Sequence, residues 1–122
     1  MDLLAEYRRA TMFFEAGDPN GAARLLEPIV EAEPDNAAVR QLLARAYFQS
    51  AQLSRAEEQL RALVHRDPSD HYAHHVLGRT LERVGRPAEA LRHLRLAAAM
   101  HAGNDDYRTA LHRVETRVGG RR

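Results

Sequence analysis

An interval of 34 residues runs through this chain. Asp2, Asn36, Asp70 and Asn104 are short polar residues at that spacing, each standing before a stretch of helix-forming sequence. Ala22, Ala56 and Ala90 recur at the same interval, as do Leu26, Leu60 and Leu94 and the pair Pro34 and Pro68. A fixed period of this length belongs to architectures in which one supersecondary unit stacks on the next, because a single unit cannot bury its own apolar face. Units starting at Leu3, Ala37 and His71 span 3–36, 37–70 and 71–104, and residues 105–118 follow as a further helix.

Each unit reads as two helices, over its positions 1–14 and 18–30. The first opens after the polar residue, whose side-chain oxygen can accept from an orphan backbone N–H. The turn is Gly17-Asp18-Pro19 in unit 1 and Gly85-Arg86-Pro87 in unit 3. Glycine takes the left-handed backbone at a helix end, and proline starts the next helix without losing a needed N–H. Unit 2 has Ala51-Gln52-Leu53 there, a weaker signal. The second helix ends at Glu33-Pro34 or Asp67-Pro68, because proline disfavours helix in the residue before it. Pro28 lies inside the second helix of unit 1 and predicts a kink or an early stop.

Apolar stripes at helical spacing support these assignments: Leu43, Ala44 and Tyr47; Leu77, Gly78 and Leu81; Ala56, Leu60, Leu63 and Val64. Gly78 in mid-helix costs about 1 kcal/mol relative to alanine, so a close neighbouring helix is expected there. In 105–118, Tyr107, Leu111 and Val114 make an inner face, while His112 and Glu115 take positions that are apolar elsewhere. That is the pattern of a terminal capping helix. Residues 119–122, Gly-Gly-Arg-Arg, read as a disordered basic tail.

Composition removes several function classes. The 122 residues suit one domain. Cysteine is absent, which excludes disulfides, thiolate catalysis and thiol-ligated metals. A net charge of +1 gives no argument for nucleic acid. No apolar run is long enough to span a bilayer, and the charged start is no secretory leader, so a cytoplasmic location is expected. The charge is uneven. Residues 1–35 hold eight acidic residues and three arginines, whereas 36–122 hold nine acidic residues, fifteen arginines and all seven histidines. This asymmetry can steer an acidic partner or favour head-to-tail self-association.

These residues resemble the tetratricopeptide repeat family, over 3–118. Small residues Ala10, Ala44 and Gly78 stand at position 8, alanines 22, 56 and 90 at position 20, leucines 26, 60 and 94 at position 24, and Phe13, Tyr47 and Leu81 at position 11. Arg9 at position 7, Ala102 in place of a third proline, and Glu6, Arg40 and His74 in place of a position-4 tryptophan depart from the family pattern. The resemblance implies an all-α, right-handed α-solenoid of three helix–turn–helix repeats with a C-terminal capping helix. It further implies that positions 2, 5, 9 and 12 of the first helices line a concave peptide-binding groove. The matching residues are Leu4, Tyr7, Thr11 and Phe14; Ala38, Gln41, Arg45 and Phe48; and Tyr72, His75, Arg79 and Glu82.

Arg45, Arg79 and Arg113 share position 9. Two residues along a helix turns the side chain by about 200°, so they point away from the Leu43, Leu77 and Leu111 stripe. Either they contact a ligand or they form a solvated face. An exposed arginine commonly has a carboxylate three or four residues away. Arg79 has Glu82, whereas Arg45 and Arg113 have no acidic residue at those offsets. Exposed arginine–carboxylate contacts give roughly 0.2–1 kcal/mol each, so Tyr7, Phe14, Phe48 or Tyr72 must add buried area. The expected ligand is a partner segment with acidic and apolar residues.

The leading expectation is therefore a non-catalytic adaptor without a cofactor. One subset of the family grips a chaperone C-terminal carboxylate with lysines and asparagines, but the matching positions here are Tyr7, Thr11, Leu42, Tyr72 and Val76, which do not fit. A second expectation is a self-associating or complex-assembly subunit using Leu3, Leu4, Met12 and Phe13, apolar residues on the first helix. A third is a metal or pH sensor built on His71, His74 and His75, of which His71 and His75 are four apart on one helix. Structural roles for His71 and His74 compete with it. Ser50, Ser54 and Ser69 lie at turns or helix starts, and no phosphate-cradling glycine loop is present.

Overall fold

The computed structural model describes residues 2–120, and all their regular structure is helical. Seven α-helices follow one another: α1 Leu3–Glu15, α2 Pro19–Ala32, α3 Ala37–Gln49, α4 Leu53–Arg66, α5 His71–Arg83, α6 Pro87–Met100 and α7 Asp105–Gly119. In repeat numbering, α1, α3 and α5 all occupy positions 1–13, and α2, α4 and α6 all occupy 17–30. Among the described residues no helix is long and apolar enough to cross a membrane. The chain divides into two compact units, one ending at Gln59 and the other beginning at Leu60.

In the first unit α1 packs on α2 and α2 on α3. The Asp2 carboxylate accepts from the N–H groups of Leu4 (3.1 Å) and Ala5 (3.2 Å), Asp18 from Gly21 (2.8 Å), and Asn36 from Val39 (3.2 Å). Ala10, Ala22, Ala44 and Ala56, the register's small positions, are wholly buried along with Leu26. The Tyr47 hydroxyl donates to Glu27 at 2.5 Å and ties α3 to α2. Pro28 does not stop α2, which continues to Ala32. Proline deletes one N–H, but Leu26 and Ile29 on either side of it are buried, and packing holds the turn that local rules would break.

The second unit repeats the arrangement, with α5 on α6 and α6 on α7. Asp70 and Asn104 cap α5 and α7 through Ala73 and Tyr107 N–H at 3.0 Å each. The close approach expected at Gly78 is present: a Cβ there would lie 2.5 Å from Leu94 Cδ2 and 3.2 Å from the Ala90 carbonyl oxygen. Helix α7 extends one residue past the expected end at 118. Gly119 is helical, and the Gly120 N–H caps Thr116 O at 2.9 Å, so neither belongs to a disordered tail. Arg121 and Arg122 lie outside the described residues.

Intra-repeat turns close identically three times. The Asp18, Gln52 and Arg86 N–H groups reach back to Phe13, Tyr47 and Leu81 carbonyls at 2.8, 2.8 and 2.9 Å. Gly17 and Gly85 sit at φ 85° and 83°, and Ala51 makes the same turn at φ 60°. At position 4, Glu6 pairs with Arg9 on its own helix, whereas the residues of the later helices act alike. Arg40, His74 and Arg108 bond the carbonyls of Pro34 (2.7 Å), Pro68 (2.8 Å) and Ala102 (2.9 Å), closing the turn that precedes each helix.

Candidate functional site

On the first unit, α1 and α3 touch. Their groove positions Tyr7, Thr11, Phe14, Gln41, Arg45 and Phe48 are half-buried. The Thr11 hydroxyl donates to the Tyr7 carbonyl at 3.0 Å, so that side chain is turned onto its own helix. The Arg45 guanidinium lies over the Phe14 ring, 4.8 Å from its centroid. A cleft of about 250 Å³ lies among the first residues of α1 and α3 and the end of α2, lined by Leu3, Leu4, Tyr7, Ile29, Glu33, Asn36, Ala38 and Val39. Leu3 and Leu4 both belong to this cleft, whereas Met12 and Phe13 lie away from it. Met12 is 66% exposed, Leu4 58% and Phe13 38%.

On the second unit the candidate residues lie on α5 and α7, which also touch. Two recesses share Arg79 and Arg113. One, of about 270 Å³, adds His75, Asp106, Thr109 and Ala110. The other, of about 390 Å³, adds Glu82, Arg83, Gly85 and Arg117. Arg113 has a partner that its own helix does not supply: its Nε and Nη2 donate to both Glu82 carboxylate oxygens at 2.8 and 2.7 Å. This fork holds the Glu82 carboxyl below its usual range, against the opposing effect of burial, with Arg117 and Arg79 adding to it. Arg117 Nη1 approaches the Glu82 carbonyl at 3.4 Å.

Arg45 and Arg113 thus do the same thing. Each reaches position 12 of the preceding repeat, 31 residues back, where one meets a ring and the other a carboxylate. A search limited to offsets of three and four misses both, whereas the repeat period points to them.

His75 is 5% exposed and borders the smaller recess. Its ring stacks on Tyr107 of α7 at 4.5 Å and 26°, with Tyr72 6.5 Å away. Among the described residues its Nδ1 has no hydrogen-bond partner. Burial pushes the imidazole down to about 4, helped by the charges of Arg79 and Arg113. Sequence reading placed Tyr107 on the inner face but not as a hub. His71 Nδ1 also meets the Tyr107 hydroxyl at 2.8 Å, and His101 lies 4.9 Å from the His71 ring.

His74 turns elsewhere. Its Nε2 meets the Pro68 carbonyl at 2.8 Å and its Nδ1 meets His93 Nδ1 at 3.1 Å. A carbonyl only accepts, so Nε2 of His74 carries the proton. In the form with both rings uncharged, His74 accepts at Nδ1 and His93 donates from Nδ1; His93 Nε2 is buried without a partner among the described residues. Burial pushes His93 down to about 4, and the neighbouring His74, Arg92 and Arg61 add to it. Of the three sensor candidates, His71 and His75 thus share Tyr107 while His74 pairs with His93, and no group of three or more His, Asp or Glu among the described residues could hold a metal ion. Of the carboxylate-grip positions, Leu42 and Val76 are buried.

The sequence profile of a family described as Tetratricopeptide repeat matches residues 13–80. No curated protein matches the chain. Among solved structures, the first TPR of Spaghetti (RPAP3) bound to the HSP90 peptide SRMEEVD is similar at TM-score 0.89 and 18% identity, covering 96% of this chain and 93% of that one. The second TPR domain of human RPAP3, in complex with the HSP70 peptide SGPTIEEVD, is similar at TM-score 0.85 and 22% identity, covering 92% and 93%. MamA from Desulfovibrio magneticus RS-1 is similar at TM-score 0.91 and 17% identity, covering 97% and 67%. Identities this low establish a common fold and nothing finer.

Proposed function

The chain belongs to the tetratricopeptide repeat family, and from that premise we propose that it is a non-catalytic cytoplasmic adaptor for a partner segment carrying acidic and apolar residues. One observation carries this reading: four arginines and a single carboxylate line one recess between α5 and α7. The first unit, by itself, carries an apolar cleft lined by Leu4 and Tyr7. The peptides bound by the two RPAP3 domains combine acidic and apolar residues in the same way. A free C-terminal carboxylate is not the expected anchor, because Tyr7, Thr11, Leu42, Tyr72 and Val76 supply no cation.

The test is fluorescence anisotropy against a synthetic array of segments varying in acidic and apolar content. Acidic–apolar members should bind near micromolar, about −8 kcal/mol. The variant Arg79→Glu/Arg113→Glu should lose at least about tenfold, or about 1.4 kcal/mol. Equal affinity in a variant that retains the helical far-UV spectrum would reject the site.

Exposure of Met12 and Leu4 on α1 supports a second reading, assembly of copies through the first helix. Light scattering separates the two, since a monomer at every concentration removes the second.

A further inference from the structure

The recess between α5 and α7 is more basic than a carboxylate ligand needs. Arg79 and Arg83 stand four apart on α5, and Arg113 and Arg117 four apart on α7; all four line it, with Glu82 as the one acidic residue. Like charges at that spacing destabilise a helix. Two such pairs nevertheless face one recess, which gathers four guanidinium groups around Glu82. Arg113 grips Glu82 with two of its five N–H groups, which fixes the guanidinium plane and leaves Nη1 for another acceptor. Arg117 reaches the Glu82 carbonyl, which brings the α7 pair to the last turn of α5. Beyond that turn is Gly85, where nothing lies within 4 Å of the place a Cβ would occupy, so the wall is open to a bulky group.

We propose that this recess receives a phosphorylated serine or threonine of the partner segment. A phosphate monoester brings close to two negative charges and three acceptor oxygens, matching several guanidinium forks at once. One carboxylate would offset a single positive charge. The inference rests on the adaptor reading and narrows it to a modified partner.

Three fluorescent peptide libraries test it, alike except for a fixed central serine, glutamate or phosphoserine among random acidic and apolar positions. The phosphoserine library should bind at least about tenfold more tightly than the glutamate library. Arg83→Gln/Arg117→Gln should reduce its affinity to the glutamate level, with thermal melting of the variant confirming the fold. Inorganic phosphate should compete more strongly than chloride at equal ionic strength. Equal binding of the phosphoserine and glutamate libraries would overturn this inference and leave the adaptor reading standing. Binding of none would overturn both. Competition by inorganic phosphate without preference for the phosphopeptide would mean an adventitious ion only. An unchanged affinity in the folded double variant would also overturn the placement.

Discussion

Arg45 and Arg113 occupy the same register position, and each reaches position 12 of the repeat before it, yet one lies over Phe14 and the other grips Glu82. The backbone delivers a guanidinium to the same place both times, and the residue it meets decides what the surface becomes. In the first unit that surface is aromatic; in the second it is ionic, within a recess of arginines. The cores differ likewise. Buried positions on α1–α3 hold alanine, leucine, isoleucine, valine and one tyrosine, whereas α5 and α6 bury His74, His75 and His93. A repeat scaffold fixes where side chains go, and single substitutions within the register then assign each region its chemistry.

Acid should separate the two units most strongly. His75 and His93 both titrate at about 4 in the folded chain against an ordinary 6.5. A histidine with a depressed pKa binds its proton more readily when unfolded. Its stability is therefore fully present above about 6.5 and is lost as pH falls toward 4. Between pH 7 and 5 each should cost about 2 kcal/mol, a large share of a small domain's stability. The first unit contains no histidine. Hydrogen exchange at the two pH values should accordingly show α5–α7 losing protection before α1–α3. His75→Phe keeps the stack on Tyr107 and removes the unpartnered Nδ1, so it should flatten the pH dependence. Equal acid sensitivity in both regions would erase the contrast.

Position 8 gives the next largest effect. Gly78→Ala gains helix propensity of about 1 kcal/mol. However, it drives a Cβ into Leu94, which is fully buried and cannot swing aside. A net loss of about 1–3 kcal/mol in urea unfolding is expected. In the first unit the register equivalent, Ala44, already carries a Cβ and is wholly buried. There the opposite change, Ala44→Gly, should be the destabilising one, by about 1 kcal/mol.

The register itself was plain in the sequence. Caps, small positions and leucines at a fixed interval specify seven helices, and the structure starts and stops them at matching positions. What local rules missed depended on tertiary placement. Arg113 finds Glu82 on another helix, which offsets within one helix cannot reveal. His75 becomes a core residue only because Tyr107 lies against it. Pro28 suggests a helix end when local hydrogen bonding alone is considered, but Leu26 and Ile29 anchor both sides. The residues in place of tryptophan at position 4 depart from the family pattern. Arg40, His74 and Arg108 there close the preceding turn, a shared task that their differing side chains did not advertise, and Glu6 does not share it.

The turns sharpen the comparison further. Ala51 in the first unit holds φ 60°, where Gly85 in the second sits at 83°. A left-handed alanine costs roughly 1–2 kcal/mol, and glycine returns part of that through the entropy of the unfolded chain. Ala51→Gly should therefore raise stability by about 0.5–1 kcal/mol, and Gly85→Ala should lower it by a similar amount. Chemical denaturation measures both, and an alanine that is no worse than glycine at residue 51 would contradict the left-handed turn.

The smallest effects bear directly on the two arginines. Double-mutant cycles on Arg45 with Phe14, and on Arg113 with Glu82, isolate each pair from the packing around it. The Arg113 side chain is half-exposed, so its pair should couple by only about 0.5–1 kcal/mol despite the two-pronged geometry. A guanidinium over a half-exposed ring should couple by a comparable 0.5–1 kcal/mol. Equal magnitudes make salt the discriminating variable. The charge–charge term falls as the screening length shrinks to about 3 Å in molar salt, whereas charge–quadrupole attraction at contact and the shared apolar area fall far less. The Arg113–Glu82 coupling should therefore fade in strong salt while the Arg45–Phe14 coupling persists. If both fade together, the stacked arginine is held by long-range charge rather than by the ring beneath it, and the two faces differ less in kind than their geometry indicates.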